Sequence, residues 1–186
     1  MSEYIGLEPR YATSQMRITA NSRDYKLNFN NLITYYYEDF QNDPDWASYR
    51  DYLKSEENYQ REISTYWENL QMFLDEETNI VNGEEVKLRI IHTNIIFPRK
   101  ETPLVQWTVE FDGPLNEGIN TYENMIEEEV LEYPVYSLYI FEKPMKVKTV
   151  ESTLEYILDP NKRIIEYYGS VRDVLGEYEK IQFTLN

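Results

Sequence analysis

The sequence predicts an α+β fold in which N-terminal helices, one of them long and amphipathic, pack on a curved antiparallel β-sheet. Three observations carry that expectation. Between residues 45 and 75 apolar side chains recur every three to four positions, through Tyr49, Leu53, Tyr59, Ile63, Trp67, Leu70 and Leu74, which is the period of one helical face. From Thr78 the period drops to two. Val105, Trp107, Val109 and Phe111 then alternate with Gln106, Thr108 and Glu110, the pattern of a strand with one face buried.

In chain order, residues 1–30 are polar and irregular and read as an N-terminal arm, with residues 15–19 able to add an edge strand. A short helix is expected over 31–40, and 31–77 as a whole reads as helical. The long helix begins at Asp43-Pro44-Asp45, where acids and a proline suit a first turn. At 1.5 Å per residue it would run about 45 Å. Asn82-Gly83 is a favoured two-residue hairpin turn, followed by a strand over 84–97. Pro98 and Pro103 bound a break, and Asp112-Gly113-Pro114 ends the alternating strand.

Residues 119–132 read as a second helix, with Asn120 as N-cap, Glu123 three positions on, and Ile119, Tyr122, Ile126 and Val130 along one side. Short antiparallel strands are expected over 135–141, 145–150, 154–158, 164–168 and 181–185, with Asp159-Pro160-Asn161-Lys162 turning between two of them. No repeat or low-complexity linker divides residues 1–186, which read as one domain.

Charge narrows the function. The chain holds 34 acidic and 18 basic residues, a formal net charge of -16, whereas nucleic acid attracts clustered Lys and Arg. Direct nucleic-acid binding is not expected. The same balance opposes anionic membrane surfaces, and no apolar run approaches the roughly 20 residues that span a bilayer. An acid near the N-terminus, Glu3, and the lack of an apolar segment after it do not fit a secretory signal, so a cytoplasmic protein is expected. Alanine occurs only at positions 12, 20 and 47 while Tyr, Asn, Ile and Glu abound. An AT-rich microbial or viral coding sequence would give that composition whatever the protein did.

Chemistry is sparse. With no cysteine, disulfides, thiolate nucleophiles and Cys-type metal sites are excluded. Six glycines contain neither a dinucleotide nor a P-loop fingerprint, and the serine-hydrolase elbow is missing. No cofactor, metal site or catalytic residue is expected. His92, the one histidine, shares strand parity with Val86, Leu88, Ile90 and Ile96 and reads as a structural side chain facing the core. Glu127, Glu128 and Glu129 form a triple acid, but adjacent residues on a helix diverge, which makes a solvated face more natural than a cation site. Lys143, Lys146 and Lys148 flank a strand, where lysines guard an edge against pairing.

The leading functional reading is a non-enzymatic, acidic, tyrosine-rich interaction domain that docks a protein partner or a second copy of itself. Its surface would be Tyr35, Tyr36, Tyr37, Glu38 and Asp39, joined by Glu127, Glu128 and Glu129. Tyrosine offers large contact area at low rotamer cost. The alternative is a small-ligand-binding or enzymatic α+β cup, with His92, Trp107, Tyr139 and Tyr156 lining an apolar pocket between helix and sheet. A third reading, a DNA mimic, is weakened by dilution of the acids among 18 bases. A filled helix–sheet interface would favour the first reading, and a sizeable pocket with convergent polar groups the second.

Overall fold

Residues 11–36, expected to be an arm and the start of a helix, instead form a hairpin of two eleven-residue strands, β1 (Tyr11–Asn21) and β2 (Lys26–Tyr36). The computed structural model describes residues 9–37, 44–99, 102–125, 128–176 and 178–185. Met16 and Ile18 from β1 and Leu27 and Phe29 from β2 are buried on one side. Asn21 closes the turn by accepting the N–H groups of Arg23 and Asp24 at 3.1 and 3.3 Å, the side-chain mimic of a backbone turn.

The helical region follows as α1 (Pro44–Tyr52) and α2 (Glu56–Glu76). The remaining strands are β3 (Thr78–Val81), β4 (Glu84–Val86), β5 (Arg89–Arg99), β6 (Thr102–Pro114), β7 (Ile119–Met125) and β8 (Glu129–Val130). They continue as β9 (Val135–Phe141), β10 (Lys146–Glu151), β11 (Glu155–Leu158), β12 (Ile164–Gly169), β13 (Val174–Leu175) and β14 (Glu179–Thr184). A seven-stranded sheet runs in the order β11-β12-β9-β1-β2-β6-β5, and a five-stranded sheet in the order β10-β14-β7-β3-β4. The pair β1–β9 is parallel; the other pairs are antiparallel.

The chain is therefore mostly β, which corrects the α+β expectation of a long helix laid across a sheet. The helix expected over 45–75 is interrupted at 53–55. The Ser55-Glu56-Glu57 sequence supplies a new start, with acids in the first turn where the helix dipole favours them, and Asn58 Nδ2 donates to the Tyr52 carbonyl at 3.0 Å. Of the 21 residues of α2 only Glu62 and Leu74 are buried. The other main cover of the large sheet is the second sheet. The helix expected over 119–132 is also overturned, because residues 119–125 pair as β7 between β14 and β3. Asn120 caps no helix. Fully buried, it accepts the Asn116 N–H and an Asn82 Nδ2–H, both at 2.8 Å. The strand expected over 84–97 divides into β4 and β5.

β6 organises the interior. Its odd residues, from Pro103 to Gly113, are all buried. Val105 packs with Tyr49 and Leu53 under the helices, and Trp107 and Val109 pack with Leu74 and Ile90. Phe111 enters the core between the two sheets with Phe29, Tyr122, Phe141 and Phe183. Trp67, Leu70, Trp107, Val109 and Phe111 thus do not share one core: Phe111 lies between the sheets, Leu70 packs with Trp107 and Val109, and Trp67 is 36% exposed. At Gly113 the sheets approach so closely that an added Cβ would overlap Val81. The hairpin β3–β4 turns through Asn82 and Gly83, both at positive φ, as a two-residue Asn-Gly turn requires. No described helix is long and apolar enough to cross a membrane.

Candidate ligand cavity

The second sheet covers one end of the inner face of the large sheet and the helices cover the other, as the three packing clusters along β6 record. Between them lies a cavity of about 710 Å³, within the range typical of small-molecule sites. Tyr35, Trp107 and Val109 form part of its sheet wall, Tyr66, Leu70 and Leu74 come from α2, and Asn79, Tyr122 and Asn124 from the second sheet. A smaller chamber of about 190 Å³ shares Glu77, Asn124 and Tyr139 and adds Tyr167 and Glu179.

The aromatic wall is ordered by ring packing. Tyr35 stacks with Trp107 at a centroid distance of 6.2 Å and meets Tyr133 edge-on at 6.3 Å. Tyr37 is buried, and burial together with neighbouring Tyr133 pushes its hydroxyl up to about 12. Burial also raises Tyr66, whose hydroxyl is further disfavoured as an anion by Tyr37, Glu62 and Tyr35.

Opposite this wall runs a polar row. Asn79 of β3 pairs in register with Asn124 of β7, which pairs in turn with Glu179 of β14; directly opposed residues share a sheet face. Glu77, two residues before Asn79, extends the row. Tyr122 donates to Asn79 Oδ1 at 2.8 Å and Tyr139 to Glu179 Oε2 at 3.2 Å. Burial raises the Glu77 carboxyl, with the adjacent Asn79 amide pulling the other way. Burial likewise raises Glu179, opposed by its tyrosine neighbours Tyr167 and Tyr139. Neither acid forms an ion pair among the described residues.

Four buried polar atoms in this lining have no hydrogen-bond partner: Tyr66 OH, Asn79 Nδ2, Trp107 Nε1 and Asn124 Oδ1. Buried polar groups are ordinarily satisfied, and each open one costs about 1–3 kcal/mol. Such atoms gathered on one cavity supply donors and an acceptor to whatever fills it.

The sequence-selected residues distribute unevenly around this site. Trp107 and Tyr139 line it. His92 does not: a bulge between Ile90 and His92 shifts the parity of β5, so that Ile90, Thr93 and Ile95 are buried and His92 is exposed. Tyr156, on the terminal strand β11, is 42% exposed and outside the lining. Because 35–36 are strand rather than helix, the tyrosine triplet alternates. Tyr35 and Tyr37 line the cavity, while Tyr36 stacks on Tyr11 at 4.4 Å. Glu38, Asp39 and Glu127 lie outside the described residues. Glu128 is exposed and borders a separate surface groove with Thr153 and Asp173, and Glu129 begins β8. Lys143, Lys146 and Lys148 are exposed, the last two on β10 at the edge of the five-stranded sheet.

Sequence reasoning missed Tyr66, Glu77, Asn79, Asn124 and Glu179. A usable signal was present: asparagine is depleted in strands, and Asn79 and Asn124 sit in strands at inward or half-buried positions. Reading 119–132 as helix concealed the second of them.

No protein-family model matches the chain. No curated protein matches it. Among solved structures it is similar to native yeast LTA4 hydrolase, at 7% identity over 99% of this chain and 30% of that one, with a TM-score of 0.34. A second structure, native leukotriene A4 hydrolase from Saccharomyces cerevisiae, is similar at 9% identity over 98% of this chain and 30% of that one, with a TM-score of 0.31. The chain thus spans less than a third of either protein, and likeness at these scores carries no inference about its function.

Proposed function

We propose that this protein binds a small organic ligand in the cavity between its two sheets and its helices. The observation that carries the proposal is the convergence of Tyr66 OH, Asn79 Nδ2, Trp107 Nε1 and Asn124 Oδ1, all unpartnered, on one aromatic-lined space of about 710 Å³. Apolar walls with a few polar groups that fix orientation are the usual design of a ligand site. Binding through an exposed tyrosine patch is less well supported, since Tyr35 and Tyr37 belong to the cavity wall.

A fragment library with neutral, cationic and anionic members tests the proposal, with Trp fluorescence as readout because Trp107 is in the wall. Saturable changes that disappear in both Trp107→Phe and Asn124→Leu are expected for true ligands. A library without any saturable response, or responses unchanged in Asn124→Leu, would defeat the proposal.

A further inference from the structure

The charge of the lining restricts the ligand. Glu77 and Glu132 border the main chamber, Glu77 and Glu179 the smaller one, and among the described lining residues there is no Lys, Arg or His. An anionic ligand would be desolvated here without a counter-charge, which is costly. A wholly apolar ligand would leave Asn124 Oδ1 without a partner and the Glu77 carboxyl without a counter-charge. Both requirements are met by a positive group, which offers N–H or N–CH₃ protons to the carboxylates and the open amide oxygen.

The aromatic wall adds a second, independent argument. Tyr35, Tyr37, Tyr66, Trp107 and Tyr133 all border the space, and cations are attracted to the faces of such rings, most strongly in desolvated sites. The open donors Trp107 Nε1 and Tyr66 OH then suit an oxygen acceptor on the body of the same ligand. Glu77 is faced by Asn79 from its own strand segment and by Tyr122 and Asn124 from β7, with Glu179 of β14 and Tyr139 of β9 beyond them. None of these described neighbours is basic.

We infer that the occupant is a small organic cation, an amine or quaternary ammonium on an apolar body, with its head against the Glu77, Asn79 and Asn124 row and its body against Trp107 and the neighbouring tyrosines. This rests on the cavity being the ligand site. Trp107, 3% exposed with its Nε1 open, and the open acceptor Asn124 Oδ1, which borders the same cavity as Glu77, mark the space as built for a bound molecule rather than as a solvated cluster of acids.

Four probes of matched body separate the possibilities in calorimetric titrations of the full chain: phenethylamine, phenethyltrimethylammonium, phenethyl alcohol and hydrocinnamate. The two cations should bind at least about tenfold more tightly than the alcohol, and hydrocinnamate should not bind. Glu77→Gln, which keeps the shape of the side chain, should remove the preference for cations, read as the ratio of amine to alcohol affinity, with folding checked by thermal melting. Equal affinity for alcohol and amine, or an undiminished preference in Glu77→Gln, would overturn the cation inference while the cavity reading stood. Absence of binding by all four probes would also overturn it, and the cavity reading would then stand or fall on the neutral members of the fragment library.

Discussion

Asn79 and Asn124 face each other across β3 and β7, one with an unpaired Nδ2 and the other with an unpaired Oδ1, and both border the same cavity. A complementary donor and acceptor on directly opposed residues are left unjoined, which opens both to a third molecule. Stability alone does not favour that arrangement, since open buried polar atoms cost about 1–3 kcal/mol each.

Replacing Asn124 with leucine should therefore leave the unliganded protein as stable as before, or more stable by up to about 1 kcal/mol. Urea denaturation checks it. A loss above about 2 kcal/mol, of the size that accompanies breaking a needed buried network, would assign Asn124 to the fold instead of the site.

Acid–base linkage gives a second prediction. Burial raises Glu77 and Glu179 above the ordinary value of 4.5, so over the interval above that value the folded state holds more protons than the unfolded one. Their contribution to stability is full below the unfolded pKa and is lost as pH rises through the folded values. Melting temperature should show a declining component from about pH 4.5 upward, and the double variant Glu77→Gln, Glu179→Gln should flatten it. An unchanged pH profile in that variant would refute the assignment.

The tyrosines set the alkaline limit by the same sign. Tyr37 is raised to about 12, chiefly by burial, and burial also raises Tyr49, Tyr122, Tyr139 and Tyr167. Stability from these groups is intact below about pH 10, the unfolded value, and is lost as the folded values are passed. Tyrosinate absorbance should accordingly rise in a cooperative step that coincides with loss of far-ultraviolet circular dichroism. A gradual rise of these tyrosines in a protein still folded would contradict the packing.

Core and surface aromatics should separate sharply. Phe29 is 1% exposed and stacks on Phe111 at 4.4 Å, so Phe29→Ala should cost about 3–5 kcal/mol. His92→Ala, beyond the bulge and in solvent, should change stability by less than about 0.5 kcal/mol. It should leave ligand responses intact. Chemical denaturation of both variants provides the comparison, and a costly His92→Ala would restore the inward-facing reading of that histidine.

Local signals carried what was legible in the chain. The buried side of β6, the Asn82-Gly83 turn and several of the short C-terminal strands follow from two-residue alternation and turn chemistry, because those patterns are set by neighbours in sequence. Trp107 and Tyr139 could be nominated as pocket residues on the same grounds. The break before α2 was also written locally, in Ser55-Glu56-Glu57, but the strong apolar period on both sides masked it.

Tertiary structure decided the rest. Strand or helix was undetermined at 119–125, where Tyr122 and its neighbours suit either, until pairing with β14 and β3 chose the strand. Residues 11–36 form strands β1 and β2 and gain their order from partners far away in the chain, β6 and the parallel neighbour β9. One bulge in β5 moved His92 from the expected core face to solvent, since a shift of one residue exchanges the two faces of a strand. The cavity is the furthest from sequence of all. Its polar row joins residues 77, 79, 124 and 179 and its aromatic wall joins 35, 66, 107 and 133, positions linked by no local period, because a site made where two sheets and a helix meet exists only once those long-range contacts have formed.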